Sequence, residues 1–148
     1  MELQEIQKLG EQLLIKHNLS NWRFEFDNAK RRYGCCKFRN KTITLSKHIS
    51  PLRKKEDIVD TILHEIAHAI VGPRNGHNDI WRKKAIEIGC NGERCGDDVR
   101  LEGKWVGVCP NGHTSSRHRK PKYRVSCGKC SNVRIFDVKY LITYTERK

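Results

Sequence analysis

The stretch TILHEIAHAIVG, residues 61–72, limits what this chain can fold into more than any other part of it. On a wheel of about 100° per residue with His64 at zero, His68 falls at about 40°, Thr61 at about 60°, Glu65 at about 100° and Asp57 near 20°. Ile58, Val59, Ile62, Leu63, Ile66, Ala67, Ala69 and Ile70 fill the arc from about 120° to about 300°. A helix that is apolar over so much of its surface is buried on most sides. Its polar side chains then need partners, because a buried polar group without one costs free energy. Two imidazoles one turn apart can reach the same metal ion, with Glu65 beside them and not forced to ligate. The competing reading is an ordinary helix with two partly exposed histidines, since H-E-x-x-H also arises by chance. The apolar context and a suitable third ligand downstream favour metal.

Two residues compete for the third position. His77 lies nine residues after His68, and Glu87 lies nineteen after it. The segment DIWRKKAIEIG reads as a second helix, with Asn78 or Asp79 as N-cap and Gly89 as terminator. Its apolar side is Trp81, Ala85 and Ile88, with Ile80 at the border. Continued backwards, the wheel turns His77 toward that side, whereas Glu87 points about 100° away from its centre. This favours His77 and leaves Glu87 as a solvated helix residue. Three neutral histidines leave a zinc ion its full charge and one open position, the pattern of a catalytic site. Glu65 is then the general base.

The remaining elements place this helix in an α+β fold. Leu3, Ile6, Leu9, Leu13 and Leu14 form a helical stripe within residues 2–17. WRFEFD alternates as a half-buried strand, a Gly-containing strand follows, and KTITLS is a third, with Asn40 in the turn before it. This predicts a small, mostly antiparallel sheet. The long helix starts at Ser50-Pro51 or just after and stops at Gly72-Pro73. The Gly-rich, polar run CNGERCGDD marks a boundary, dividing residues 1–100 from a basic domain of short strands and turns at 101–148.

LHEIAHAIVGPRNGHNDIW resembles the active-site segment of the SprT-like metalloprotease family, which pairs H-E-x-x-H with a downstream histidine, commonly in H-G-x-x-F/W. Here that motif reads His77-Asn78-Asp79-Ile80-Trp81, with asparagine at the glycine position. The upstream NWRFEFDNAKRRYGCCKFRNKTITLS is similar to the family's strands. The resemblance implies a zincin-like domain with an N-terminal helix, a small sheet and the H-E-x-x-H helix. It implies a zinc-dependent endopeptidase, in several members acting on DNA-associated proteins. A substrate backbone pairing with an exposed edge of the 31–46 strands is expected by analogy.

A second constellation follows. Cys109, His113, Cys127 and Cys130 form C-x₃-H and C-x₂-C knuckles that can close a tetrahedron around a structural zinc ion. The pattern resembles the family's C-terminal zinc ribbon, although members often carry C-x₂-H at the first knuckle. His118 is a less favoured alternative ligand. One catalytic and one structural zinc are therefore expected. Cys35, Cys36, Cys90 and Cys95 read as small residues on a strand and in a turn.

Charge points to a partner. The net charge is +13, and residues 101–148 hold eleven Lys/Arg against three Asp/Glu. Between the knuckles, Arg117, Arg119, Lys120, Lys122 and Arg124 could follow a phosphate backbone, with Tyr123 free to stack on a base. The bland alternative is a solvated surface. Nothing resembles base-specific readout, so DNA binding without sequence preference is expected. With mean hydropathy −0.74 and no secretory or membrane-spanning pattern, a cytoplasmic, DNA-associated monomer (nuclear in a eukaryote) is expected. A non-catalytic zinc adaptor that binds DNA is the alternative, as is a different metal-dependent hydrolase. Glu65 speaks against the adaptor, because a structural site has no use for a base.

Overall fold

The computed structural model describes every residue except Cys95, Asp97, Asp98, Val133 and Arg134. The chain forms two compact units, Met1–Arg100 and Leu101–Lys148.

In the first unit, α1 spans Leu3–Lys16. The Glu5 carboxylate accepts from the Glu2 backbone N–H at 2.8 Å, satisfying one donor of the open first turn. Its buried stripe is Ile6, Gly10 and Leu14, one residue per turn. Three strands follow, β1 at Arg23–Asp27, β2 at Gly34–Lys37 and β3 at Thr42–Ser46, in the order β1-β3-β2.

β2 pairs antiparallel with β3, but β1 runs parallel to it, with Phe24 opposite Ile43. The sheet is therefore mixed, and the expectation of a mostly antiparallel one is corrected. Apolar alternation says which side chains share a face and carries no information on strand direction. All five residues of β3 are buried. Its polar members are satisfied, with Thr44 donating to Asp27 at 2.7 Å and Ser46 donating to the Ala29 carbonyl at 2.6 Å.

A 3₁₀ turn at Ser50–Leu52 leads into α2, Lys55–Val71. Pro51 thus sits in the short turn, and the long helix begins after it. Glu56 and Asp57 lie in the first turn of α2, where the helix dipole favours negative charge. Helix α3, Asp79–Glu87, is capped by Asn78, whose side chain accepts from Trp81 N–H at 3.1 Å. Helix α2 packs against α1, α3, β2 and β3. Ile58, Ile62 and Ile66 of α2 join Ile6, Phe24, Ile43, Leu45, Trp81 and Ala85 in one core.

The second unit is a three-stranded antiparallel sheet of β4 at Trp105–Val108, β5 at Thr114–Arg117 and β6 at Thr143–Glu146, in the order β5-β4-β6. Around YRVS pairing reduces to one isolated bridge, Ser126 to Leu141. Val138–Tyr140 is a 3₁₀ turn. Among its described residues only Gly103, Gly107, Cys109 and Cys127 are buried, and Ile135, Phe136 and Val138 are exposed. Such a unit has little apolar core to hold it. Among the described residues, no helix is long and apolar enough to cross a membrane.

Gly10 gives a test of the first unit's packing. Alanine in mid-helix normally gains about 1 kcal/mol over glycine. Here a β-carbon would sit 2.4 Å from the ring of buried Phe24. Gly10→Ala is therefore expected to destabilise the chain by about 1–3 kcal/mol, read as a lower urea midpoint. A raised midpoint would contradict the α1–β1 packing.

Candidate metal centres

The long helix aims its narrow polar stripe at one spot. His64 and His68 are partly buried, and Glu65 is only 7% exposed. After Val71 the chain turns sharply. Gly72 (φ +92°) ends the helix, its N–H donating to the His68 carbonyl at 2.9 Å. The Asn75 side chain donates to the Val71 carbonyl at 2.6 Å, and Asn78 N–H donates to the Asn75 carbonyl at 3.0 Å. This closed loop delivers His77. Its Nε2 lies 3.0 Å from Nε2 of His64 and 3.1 Å from Nε2 of His68. Asn78, where the resembled motif carries glycine, caps α3. Glu87 is exposed and paired with Lys84 at 3.0 Å, outside the histidine cluster.

Trp81 is the platform beneath the cluster. It is fully buried, and its ring centroid lies 4.6 Å from that of His64, 5.2 Å from His68 and 4.7 Å from His77. It stacks on His68 and meets the other two rings at steeper angles. Its indole N–H donates to the His64 carbonyl at 3.3 Å. The wheel of α3 identifies Trp81 as apolar core, but its contact with all three histidines arises only in three dimensions.

These residues fit a metal ion on chemical grounds. A neutral imidazole nitrogen is either donor or acceptor, so three Nε2 atoms in a triangle cannot satisfy one another. A shared cation satisfies all three. A tetrahedral ion about 2.0–2.1 Å from each nitrogen spaces its ligands roughly 3.3–3.4 Å apart, close to the separations observed.

Electrostatics keep the ligands neutral. Burial, followed by the neighbouring His77, lowers His64 to about 4 from an ordinary 6.5, opposed by a hydrogen bond to the Glu93 backbone. Burial, then His64 and His77, lowers His68 to about 4. Burial, then Arg94, lowers His77. Burial raises Glu65 to about 7, with the Arg32 charge opposing. Among the described residues, no side chain donates to the Glu65 carboxylate. Strand β2 runs alongside it, and a β-carbon on Gly34 would lie 3.2 Å from Glu65 Cγ. Burial, followed by the charge of Glu65, pushes the Cys36 thiol up to about 12. A thiol raised so far carries little thiolate near neutral pH. Cys35 lies on the same strand, Cys90 is buried, and Cys95 falls outside the described residues.

The second unit gathers its own four groups. His113 Nδ1 lies 3.5 Å from Cys109 Sγ, 3.5 Å from Cys127 Sγ and 3.2 Å from Cys130 Sγ, and the Cys109 and Cys130 sulfurs are 3.9 Å apart. A tetrahedral zinc ion with Zn–S near 2.3 Å spaces sulfurs about 3.8 Å apart. His118 does not belong to the cluster. Against a rise from burial, the backbone N–H groups of Lys129 and Cys130 lower the Cys127 thiol to about 6, toward the thiolate a metal needs.

The basic side chains line the same unit's surface. Arg117 closes β5 and donates to the Tyr144 hydroxyl at 3.1 Å. Lys120 lies over Trp105 and Arg124 over Phe136. Arg119, Lys122 and Tyr123 are exposed, Tyr123 by 84%. Lys120, Tyr123 and Arg124 border a shallow groove with Leu141 and Tyr144.

Known proteins place the fold. The chain is similar to jannalysin of Methanocaldococcus jannaschii, a metallopeptidase zymogen, at 22% identity and TM-score 0.51, over 60% of this chain and 85% of that one. It also matches abylysin of Pyrococcus abyssi, another metallopeptidase zymogen, at 17% identity and TM-score 0.46, over 62% and 82% of the two chains. No curated protein matches it. The SprT-like family matches residues 3–101, and the chain belongs to that family.

The lowered histidines predict an acid weakness in the metal-free chain. Between pH 6.5 and 4 the unfolded chain protonates His64 and His68 while the folded chain resists, so stability is lost as pH falls. Glu65, raised from 4.5 to about 7, works in the opposite sense and offsets one of the two. The melting temperature of chelator-treated protein should therefore drop between pH 7 and 4.5, and by less in a His64→Gln/His68→Gln variant. Equal drops would show that the histidines titrate normally.

Proposed function

We propose that this chain is a zinc metalloendopeptidase of the zincin type, with residues 1–100 as its peptidase domain and residues 101–148 as a basic zinc ribbon that binds nucleic acid. The observation that carries the reading is the convergence of three imidazole nitrogens beside a buried carboxylate that has no side-chain donor among the described residues. His64, His68 and His77 would hold the catalytic zinc, and Cys109, His113, Cys127 and Cys130 the structural one. Bound zinc supplies Lewis acidity to a peptide carbonyl and to water.

The chain's own residues do the rest. Low basicity keeps the three imidazoles unprotonated near neutral pH, with their lone pairs available. Glu65 takes a proton from the attacking water at a carboxylate oxygen and returns it to the departing amine. Its burial sets its affinity for that proton near the working pH. Trp81 holds the ligands in place and keeps water from their rear. The free edge of β2, passing along Glu65, offers main-chain hydrogen bonds to an extended substrate and so demands little of its sequence. The reading as a non-catalytic zinc adaptor that binds DNA is less favoured, because it gives Glu65 nothing to do.

In the ribbon, Arg117, Arg119, Lys120, Lys122 and Arg124 would follow phosphates while Tyr123 stacks on a base. The substrates would then be proteins carried on DNA, met by a monomeric enzyme associated with the nucleoid, or with the nucleus in a eukaryote. Holding enzyme and substrate on one strand raises their effective concentration.

Wild type should carry two zinc ions per chain, Cys127→Ser losing one and His64→Ala the other. Glu65→Gln should keep both and lose casein cleavage by several orders of magnitude, and full activity in that variant would sink the mechanism. Nucleic-acid affinity should fall steeply with salt. Replacing Arg117, Arg119, Lys120 and Lys122 together by Ser should flatten the log–log slope by up to about 3–4 units. An unchanged slope in fluorescence anisotropy would reduce the basic run to a solvated surface.

A further inference from the structure

The first unit concentrates its positive charge in one place. Residues 1–100 hold nineteen Lys/Arg and fourteen Asp/Glu, a net +5. Within them, residues 23–47 hold eight Lys/Arg against two Asp/Glu, a net +6, so the rest of the unit is nearly neutral at −1. These residues form the three-stranded sheet and its two connections. All eight basic side chains are exposed. Both acids are already engaged. Glu25 lies 3.7 Å from Arg23, and Asp27 pairs with Arg32 at 2.8 Å while accepting from Thr44. Lys30, Arg31, Lys37, Arg39, Lys41 and Lys47 have no acidic partner among the described residues.

Four of the cations crowd one end of the sheet. Arg23 and Lys37 flank Thr42 of the central strand in the same register, so they stand on one face about 10 Å apart. Arg39 and Lys41 lie in the turn that joins β2 to β3, and this turn is fixed. Lys41 N–H donates to the Phe38 carbonyl at 3.2 Å, and Arg23 N–H donates to the Lys41 carbonyl at 2.8 Å. The Phe38 ring meets Trp22 edge-on, with centroids 6.2 Å apart. Lys41 itself has φ +47°. A residue with a β-carbon is disfavoured there, and glycine or asparagine is the usual occupant. The backbone would be better served by glycine, so the lysine is kept for its side chain. Cations on edge strands also block pairing with other chains. That use accounts for Arg23 and Lys37, but not for Arg39 and Lys41, which sit in a turn.

The make-up of the surface selects its partner. Of the exposed large apolar side chains among the described residues, none lies between residues 23 and 47. A surface that settles on a lipid bilayer interleaves such side chains with its cations. Bare cations on a rigid face suit phosphates instead. The face measures roughly 16 Å along β1 and 10 Å across, enough to meet several phosphates of a duplex, which carries one charge per about 1.7 Å of its axis.

We propose that the sheet of the first unit is itself a nucleic-acid surface, on which Arg23, Lys37, Arg39 and Lys41 contact backbone phosphates without reading sequence. Its residues are distinct from the ribbon's basic run, and it requires neither the metallopeptidase reading nor nucleic-acid binding by the ribbon.

The test is a salt titration of the full chain on a fluorescent, mixed-sequence DNA duplex, followed by anisotropy. Arg117, Arg119, Lys120 and Lys122 are first replaced by Ser to weaken the ribbon's share. This variant should still bind, more weakly at higher salt. Adding Lys37→Ser, Arg39→Ser and Lys41→Ser should flatten the remaining log–log slope by up to about 3 units, at just under one per lost phosphate contact. Lys41→Gly alone should raise the urea midpoint, because glycine adopts this φ freely, and yet flatten the slope by about one unit. No residual binding in the ribbon variant would overturn the proposal. So would a slope that the added substitutions leave unchanged, or a Lys41→Gly chain that is stabilised and binds as before. Equal affinity for phosphatidylserine vesicles or for polyglutamate at the same salt would overturn it as well, making the sheet a site for membranes or acidic proteins. If the ribbon substitutions leave the wild-type slope unchanged and the sheet substitutions flatten it, the sheet surface stands and the ribbon reading fails.

Discussion

Three imidazole nitrogens, one of them about 3 Å from each of the other two, cannot stay so by mutual attraction. They are held there by Trp81, and most of the first unit's architecture serves that contact. The indole must be buried, so α3 must lie against α2. Helix α3 must start where Asn78 can cap it, so the preceding loop must close tightly. Because α2 is apolar on its other faces, α1 and the sheet must cover it. The polar stripe is thus the one part of the helix the fold leaves for chemistry. Burial depresses the histidines and raises the acid, so the same packing that stabilises the unit tunes its proton affinities in the direction a hydrolytic site requires.

Much of this is legible in the one-dimensional pattern because helices have a fixed period. The stripe of His64, Glu65 and His68, the preference for His77 over Glu87, and the two cysteine knuckles all follow from spacing along regular elements or short turns. Strand direction does not, since alternation is the same for parallel and antiparallel neighbours. The order of the loop after α3 is invisible for a different reason. It is held by backbone N–H groups, which nearly every residue has, bonded to Asp60 and Asn91 in a stretch that reads only as a polar boundary. Trp81 is intermediate, because its burial can be read and its three ring contacts cannot.

The two units solve the problem of stability differently. The first buries a continuous apolar core and would fold around it without metal. The second leaves Ile135, Phe136 and Val138 exposed and buries two of its own cysteines. On the proposed reading its order would come from a metal held by the four-residue cluster, in the way small metal-dependent domains substitute coordination for core. Freed from covering a core, its surface can carry a dense positive charge, which a unit held only by apolar packing would tolerate less well.

The turn from Gly72 to Asn78 sets one more condition. Connections between helices on a protein surface usually accept insertions readily. This one spans the gap between His68 and His77 with its backbone and asparagine side chains hydrogen-bonded to the end of α2 and to each other. One added residue lengthens an extended chain by about 3.3–3.6 Å, more than the 3.0 Å between the His77 and His64 nitrogens. Loop length therefore sets the spacing of the histidine cluster in this fold. Side-chain changes at Pro73 or Arg74 leave that ruler intact, whereas a single inserted residue breaks it.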